Sequence, residues 1–466
     1  MKINKLILMA ALAIMFAGCD SDRLEVTPTG DISQNLADEN EEALIGVKNG
    51  MYLYLEDYRC LGRDVIAGTD VMSDLSFVSS TNSGRFIFLN GLTHSAVNVD
   101  ISPLGWFYSA IVQANTVINT SLPETDRVKQ AKAEALVGRA LSYFYLVNLY
   151  SAAVTSGINQ EYGVPLNLAN YNPTAKRPRA SVAEVYAQIE ADLLEALNLF
   201  DPDGNYSDKS LFSPLAAELL LSRVYLFEGK WQDAYDYAVK VDEAGSGNYQ
   251  DAAGYVSYFS ADQAPETVFE LDFSSAASLG TNSLANVLAS TGGYNQNLFR
   301  ADFVNSFDAS DVRKTLYITD PRPNHGNDNP AGYFTTKYAT NFQGVKILRM
   351  SEAKLNKIEA MYHLGNTAGA LTELNAFVQT RGSYSYSDTG AKVLDDILSE
   401  RAKEFAGEGY RFFDLKRNQL PIVKNTNCID NCNVDPKDSK KGYLFVFPIP
   451  QGEMDNNPQM TQYPGW

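Results

Sequence analysis

From about Glu41 onward the chain alternates between segments of helical period and long stretches with none. Val182, Val185, Tyr186, Ile189, Leu193, Leu194 and Leu197 recur at three- and four-residue steps, which sets them on one face of a helix. Ser181 followed by Glu184 makes a capping box at its start, and Pro178 just upstream blocks an earlier one. Ser213-Pro214 predicts a second start, with Ser as N-cap and Pro at the first helical position, leading into residues 215–228. A third, long helix is predicted over 130–150, with Leu136, Ala140, Tyr143, Phe144, Val147 and Tyr150 along one side.

Two segments share a spacing. Tyr225, Gly229, Ala234 and Ala238 stand at −4, 0, +5 and +9 about a glycine, and Met361, Gly365, Ala370 and Leu374 hold the same offsets. The pattern resembles the inter-helix corner of a tetratricopeptide hairpin, in which a large residue ends the first helix, Gly allows the turn and small residues let the second helix pack closely. Between the helical blocks, residues 57–103 and 248–343 carry no helical period and are rich in Gly, Ser, Asn, Asp, Tyr and Phe. Loops this long are either disordered or functional, and the aromatics argue against disorder. Within them, residues 267–273 alternate apolar and polar and predict a small strand. The expected fold is therefore all-α, a helical repeat scaffold with loop-rich insertions and minor β content. At about 150 residues per domain, 466 residues would make three domains; one repeat body over 41–466 explains the length better.

The N-terminus reads differently. Lys2 and Lys5 precede an apolar stretch from Leu6 to Ala17, too short to span a membrane, so residues 1–18 are expected to be a secretory signal. Phe16-Ala17-Gly18-Cys19 resembles a bacterial lipobox with Phe in place of the usual Leu, making Cys19 the expected lipidation site. Residues 19–40 read as a polar tether, and Asp20 and Asp22 behind the cysteine resemble the surface-export signal of Bacteroidetes lipoproteins. Several acyl chains on one cysteine would hold the chain stably to a membrane. Lys and Arg number 38 against 56 Asp and Glu, a balance of −18 that becomes −20 once residues 1–18, with two lysines and no acid, are removed. Nucleic acid, a polyanion that needs clustered cations, is excluded as a partner.

Catalytic signatures are missing: no phosphate-binding glycine loop, GxGxxG, HExxH or GxSxG. His94, His325 and His363 are widely separated and read as surface or packing residues. Asp395 and Asp396 are adjacent on a helix and diverge by about 100°, so they cannot flank one bond. A glycosidase would have to use loop carboxylates such as Asp70 and Asp74. Cys60 has no evident partner, whereas Cys428 and Cys432, four apart in the loop 425–441, predict a local disulfide in an exported chain. The same loop holds Asp430, Asn431, Asn433, Asp435 and Asp438, oxygen ligands that suit calcium but fit no ligand template; solvated acidity is the simpler reading, and no cofactor or metal is expected.

The 27 Tyr, 23 Phe and 3 Trp offer stacking surfaces. A sugar ring presents a C–H face to an aromatic, and roughly 80 Å² so covered contributes about 2 kcal/mol before entropy costs. The candidate ligand residues in the long loops are Asp70, Asp74, Phe77, Asn82, Phe86, Tyr294, Asn295, Phe299, Tyr333 and Tyr338, while Trp231 behind the repeat glycine reads as packing.

The run from Ile397 to Arg417, ILSERAKEFAGEGYRFFDLKR, resembles the hallmark segment of SusD/RagB outer-membrane lipoproteins, and Pro448-Ile449-Pro450 with Glu453, Asn457-Pro458 and Gln462 resembles that family's closing motif. Trp106, Asn115, the helix 133–150 with the following Tyr162-Gly163-Val164-Pro165-Leu166, and the segments 179–186 and 221–231 add to the likeness, which runs from Cys19 to Trp466. The resemblance implies four tetratricopeptide hairpins with a loop-rich face. It also implies an outer-membrane lipoprotein on the extracellular face that binds glycans and acts as the lid of a SusC-like TonB-dependent transporter. A peptide-importing RagB-like role is the runner-up, with a surface glycoside hydrolase or a protein-binding scaffold behind it. The charged residues from Glu400 to Arg417 read as buried or capping ion pairs rather than catalytic groups.

Overall fold

The structure, a computed structural model, describes residues 37–245 and 247–466. The signal segment 1–18, Cys19 and the tether as far as residue 36 lie outside the described residues. Helix α1 (Glu41–Glu56) is followed by an insertion carrying α2 (Asp64–Met72), strand β1 (Ser76–Val78) and α3 (Ile87–Gly91), and only then by the helix it packs against, α4 (Leu104–Ile118). Helices α5 (Asp126–Tyr150) and α6 (Val182–Leu199) form the next antiparallel pair, and α7 (Pro214–Glu228) and α8 (Trp231–Ala244) the third. A second insertion then carries α9 (Tyr255–Tyr258), β2 (Thr267–Leu271), α10 (Leu284–Leu288), β3 (Asn297–Phe299), α11 (Ala301–Asn305), β4 (Tyr317–Thr319), β5 (Tyr333–Thr335) and β6 (Val345–Arg349). It leads to the fourth pair, α12 (Met350–His363) and α13 (Thr367–Gln379). The chain closes through α14 (Lys392–Phe405), α15 (Arg411–Arg417), the short pair β7 (Ile422–Val423) and β8 (Asn433–Val434), and α16 (Gln451–Asn456). The architecture is the expected helical-repeat scaffold with four hairpins.

The local signals form as the sequence predicts. Ser181 Oγ accepts from the Glu184 N–H while the Glu184 carboxylate accepts from the Ser181 N–H, closing the capping box. Ser213 caps α7 with Pro214 in its first turn. The long helix starts earlier than the apolar stripe implies, at Asp126, because Thr125 Oγ1 accepts from the Val128 N–H. Helix α5 is buried on every side from Ala133 to Tyr150, as a helix between α4 and α6 must be. Of the α6 stripe, Leu194 stays 39% exposed, at the edge of the apolar face.

Both corner glycines take the left-handed conformation, Gly229 at φ 75° and Gly365 at φ 87°. In each corner the next N–H reaches back five residues, Lys230 to the Tyr225 carbonyl and Asn366 to the Met361 carbonyl, both at 2.9 Å. Ala234, Ala238, Ala370 and Leu374 are fully buried where the second helix presses on the first.

Strand β2 pairs antiparallel with β6, and both faces are buried rather than one, so its polar Glu270 is turned inward near Lys346 at 3.4 Å. A second sheet runs β1-β3-β5-β4, all antiparallel. It joins the first insertion to the second, with Phe77 opposite Leu298, and Phe77, Leu298 and Phe334 fill one face.

The segment from Glu400 to Arg417 is a structural clamp. Glu404, fully buried, receives Arg349 at 2.7 Å, Arg381 at 3.1 Å and Arg313 at 3.4 Å. Glu408 receives Arg349 and Lys337, and Asp414 receives Arg401 and Arg417. Burial alone would raise the Glu404 carboxyl, but the three guanidiniums hold it well below the ordinary carboxylate range. The cations come from Arg349 at the end of β6, from Arg313 and Lys337 elsewhere in the second insertion, and from Arg381 two residues after α13, so the clamp ties the second insertion to the last repeat and α14. At the C-terminus Gln462 exchanges hydrogen bonds with the backbone of Ile449, at 2.9 and 2.6 Å, and folds the end of the chain back on itself.

Candidate ligand-binding site

The loop after β1 and the loop before β3 are fastened by one side chain. Gln296 Oε1 accepts from the Ser83 N–H at 2.9 Å and from Ser83 Oγ at 2.6 Å, and its Nε2 donates to the Arg85 carbonyl at 2.9 Å. The Arg85 guanidinium lies 3.7 Å from the centroid of the Tyr294 ring and donates to the Tyr294 hydroxyl at 2.8 Å. Tyr294 is itself held by its N–H on Asn286 Oδ1 at 2.9 Å. Asn82, exposed, makes an Asx turn, donating to the Ser79 carbonyl at 2.7 Å and accepting from the Gly84 N–H at 2.8 Å. Asn295 is half-buried in the left-handed region at φ 31°.

A groove of about 480 Å³ lies along the segment that leads into Tyr294, lined by Thr291, Gly292 and Gly293 on one wall and by Thr340, Asn341 and Phe342 on the other, with Ser275 and Ser278 nearby. Phe342 is 46% exposed, a large apolar ring left open to solvent. Asn341 is oriented by Ser283 Oγ on its side chain at 2.7 Å and Ser278 Oγ on its carbonyl at 2.8 Å. No lining residue carries a charge. An exposed ring with hydroxyl and amide groups around it can cover an apolar ligand face and hydrogen-bond its rim.

The structure thus brings together three of the ten candidate residues, Asn82, Tyr294 and Asn295. Tyr333 is half-buried on β5. Phe77, Phe86, Phe299 and Tyr338 are at most 5% exposed and pack the interior, with the Tyr338 hydroxyl donating to the Gly407 carbonyl at 2.9 Å. An aromatic in a loop serves the loop's own small core as readily as a ligand, and these four serve the core. Asp70 is fully buried, and Asp74 is gripped by both arms of Arg411 at 2.8 and 2.7 Å, so the two carboxylates do not flank an open cleft.

Arg85, Gln296, Asn341 and Phe342 were not singled out by the sequence. Phe342, between Asn341 and Gln343 at the end of a period-free stretch, carried a signal of the same kind as the residues that were. Gln296 carried none, since its role arises from a contact across more than 200 residues.

Cys428 and Cys432 are joined by a disulfide with Cα atoms 5.6 Å apart, and Cys60 is a buried free thiol. In the acidic loop Asp435 and Asp438 cap turns by accepting from the backbone N–H of Lys437 and Lys440, and the Asn431 side-chain oxygen accepts from the Lys441 ammonium. Among the described residues no group of His, Cys, Asp and Glu is arranged to hold a metal ion. His94 is enclosed against Phe447 and Trp466, His363 stacks on Trp231 at 3.8 Å between centroids, and His325 faces the Asp320 carbonyl. No described helix is long and apolar enough to cross a membrane.

Against known proteins, residues 281–466 match the SusD family, and residues 39–226 match a family described as starch-binding and associating with the outer membrane. A SusD-like protein of Bacteroides ovatus is 25% identical over 477 residues, spanning 88% of this chain and 82% of its own. A SusD superfamily protein from Bacteroides thetaiotaomicron superposes with a TM-score of 0.82 at 26% identity, covering 91% of this chain and 100% of that one. A SusD-like carbohydrate-binding protein from Bacteroides vulgatus superposes with a TM-score of 0.78 at 22% identity over 90% and 97%.

Proposed function

The chain belongs to the SusD family, and from that premise we propose that it is a cell-surface glycan-binding lipoprotein that captures oligosaccharide and closes as a lid over a SusC-like TonB-dependent transporter. The observation that carries the binding role is the Arg85–Tyr294 stack, which joins the two insertions, together with the uncharged groove of Phe342 and Asn341 along the segment that leads into Tyr294. Sugar rings would cover Tyr294 and Phe342, while Asn82, Asn295, Asn341 and the free edge of Arg85 would meet the hydroxyls. The neutrality of the groove favours an uncharged glycan over a peptide, whose termini and side chains would need counter-charges. In this reading Cys19 carries the lipid that holds the protein to the outer face of the outer membrane, and the protein binds its ligand without cleaving it.

Isothermal titration against oligosaccharides and peptides tests the reading. Binding to at least one glycan is expected, with Arg85→Ala and Tyr294→Ala each lowering affinity about tenfold, roughly 1–2 kcal/mol of stacking and hydrogen bonding. A transporter barrel should still co-purify with both variants. Binding to peptides and to no glycan would replace this with the RagB-like reading, and release of shorter sugars from a bound glycan would make the protein an enzyme.

A further inference from the structure

The helical-repeat side of the molecule carries a second groove that plays no part in the surface just described. It lies between the end of α1 and the first half of α4, is walled by Tyr54, Tyr108 and Tyr171, and has Ser109 and Gln113 among its other lining residues. Its volume is about 200 Å³, below the range of about 300–1,000 Å³ that drug-sized ligands occupy, so it holds one ring and not a chain. No lining residue is charged.

Gln113 marks the groove as a site. It is only 7% exposed and its side chain bonds to none of the described residues, yet its amide atoms are not sealed from solvent. It lies over Gly50, where a Cβ would stand 3.4 Å from Oε1, and it faces the groove. An amide that is nearly buried but opens on an uncharged groove can be satisfied by water there or by a ligand's own donors and acceptors. Tyr171 is held 59% exposed at the rim. Its loop is pinned in advance. Asn115 Nδ2 donates to the Asn167 and Ala169 carbonyls at 2.8 and 3.1 Å, Asn119 Nδ2 to the Leu168 carbonyl at 3.0 Å, and the Tyr108 hydroxyl to the Pro165 carbonyl at 2.7 Å. The walls therefore stand in place before any ligand arrives.

We propose that this groove is a second glycan-binding site that takes one neutral sugar ring, stacked on Tyr171 and hydrogen-bonded to Gln113. The aromatic walls suit the C–H face of the ring, the amide its hydroxyls, and the absence of charge excludes phosphate, carboxylate and ammonium groups. An apolar side chain of a protein partner would leave the amide unsatisfied. The assignment of the ligand's class rests on the reading of the protein as a glycan binder; the site itself does not depend on the Arg85–Tyr294 surface. A polysaccharide held at both places would bind more tightly than at either alone, because the second contact is intramolecular.

Native affinity electrophoresis of the full chain in gels containing amylopectin, β-glucan, xylan or mannan tests the proposal. On the polysaccharide that retards the wild type, Tyr171→Ala and Gln113→Leu are each expected to weaken retardation about threefold. The double variant Arg85→Ala/Tyr294→Ala should keep residual retardation that adding Tyr171→Ala removes. Trp106, whose ring lies 6.0 Å from that of Tyr54, should change its emission when maltoheptaose or the matching oligosaccharide is titrated into that double variant. Thermal melting of each variant separates loss of the site from loss of the fold. If the Arg85→Ala/Tyr294→Ala variant loses all retardation while Tyr171→Ala and Gln113→Leu match the wild type, the second site is overturned and the glycan reading stands. If the wild type is retarded by no glycan, both fall. If Tyr171→Ala instead weakens only co-purification of a transporter barrel, the groove is a protein contact and the proposal is overturned.

Discussion

Asp70 sits near the end of α2, fully enclosed, with neither carboxylate oxygen in a hydrogen bond of good geometry. Burial pushes its carboxyl up to about 7, against the pull of the Gly407 and Gly409 N–H groups and the Lys337 ammonium on that side. In the unfolded chain the group ionises near 3.8. Between pH 4 and 7 the folded protein therefore holds a proton that the unfolded chain has lost, and this group's contribution to stability falls as pH rises through that window. Asp70→Asn removes the titration. Its melting temperature relative to the wild type should climb from pH 4 to pH 7 and level off above, as read by circular dichroism at a series of pH values; a constant difference would show that Asp70 does not titrate there. At this scale the sequence was a poor guide. Asp70 and Asn82 are both polar loop-region residues, and only the fold separates the enclosed one from the exposed one. Phe77 and Phe299 differ from Phe342 in the same way.

The hairpin corners were legible because their information is local. Gly229 and Gly365 need only their neighbours to turn the chain, and the five-residue backbone bond closes each corner. Nothing lies within 4 Å of a Cβ added at Gly365, so Gly365→Ala tests backbone strain alone, expected at about 1–2 kcal/mol by chemical denaturation. A change near zero would mean that the corner relaxes. The first hairpin was not legible, because the insertion carrying α2, β1 and α3 separates α1 from α4. Nor was the four-stranded sheet, whose strands are three residues long and pair Phe77 with Leu298 across the chain. The charged run around Glu404 was legible as structural, though not its partners. Glu404→Gln would leave Arg313, Arg349 and Arg381 crowded around a neutral group, and should cost about 3–5 kcal/mol in the same assay.

For the whole molecule, the question is what holds it to a membrane. The full chain carries a balance of −18, which becomes −20 if residues 1–18 are removed as expected, and no described helix is long and apolar enough to cross a bilayer. An acidic surface is repelled by anionic lipid, so attachment of the body by charge is disfavoured, and in the proposed reading the lipid on Cys19 is the anchor. The repeats, both insertions and the buried clamp all lie within residues 37–466, so the body should fold without that anchor. Cys19→Ser is accordingly expected to move the protein from the membrane fraction to the soluble fraction of cells that export it, with the melting temperature and glycan affinity of the purified body unchanged. High salt should not release the wild type, since hydrocarbon burial, unlike charge pairing, is not screened. A Cys19→Ser protein that stays with the membrane and comes off in salt would instead place the membrane contact on the body, through a partner whose charge complements its acidic surface.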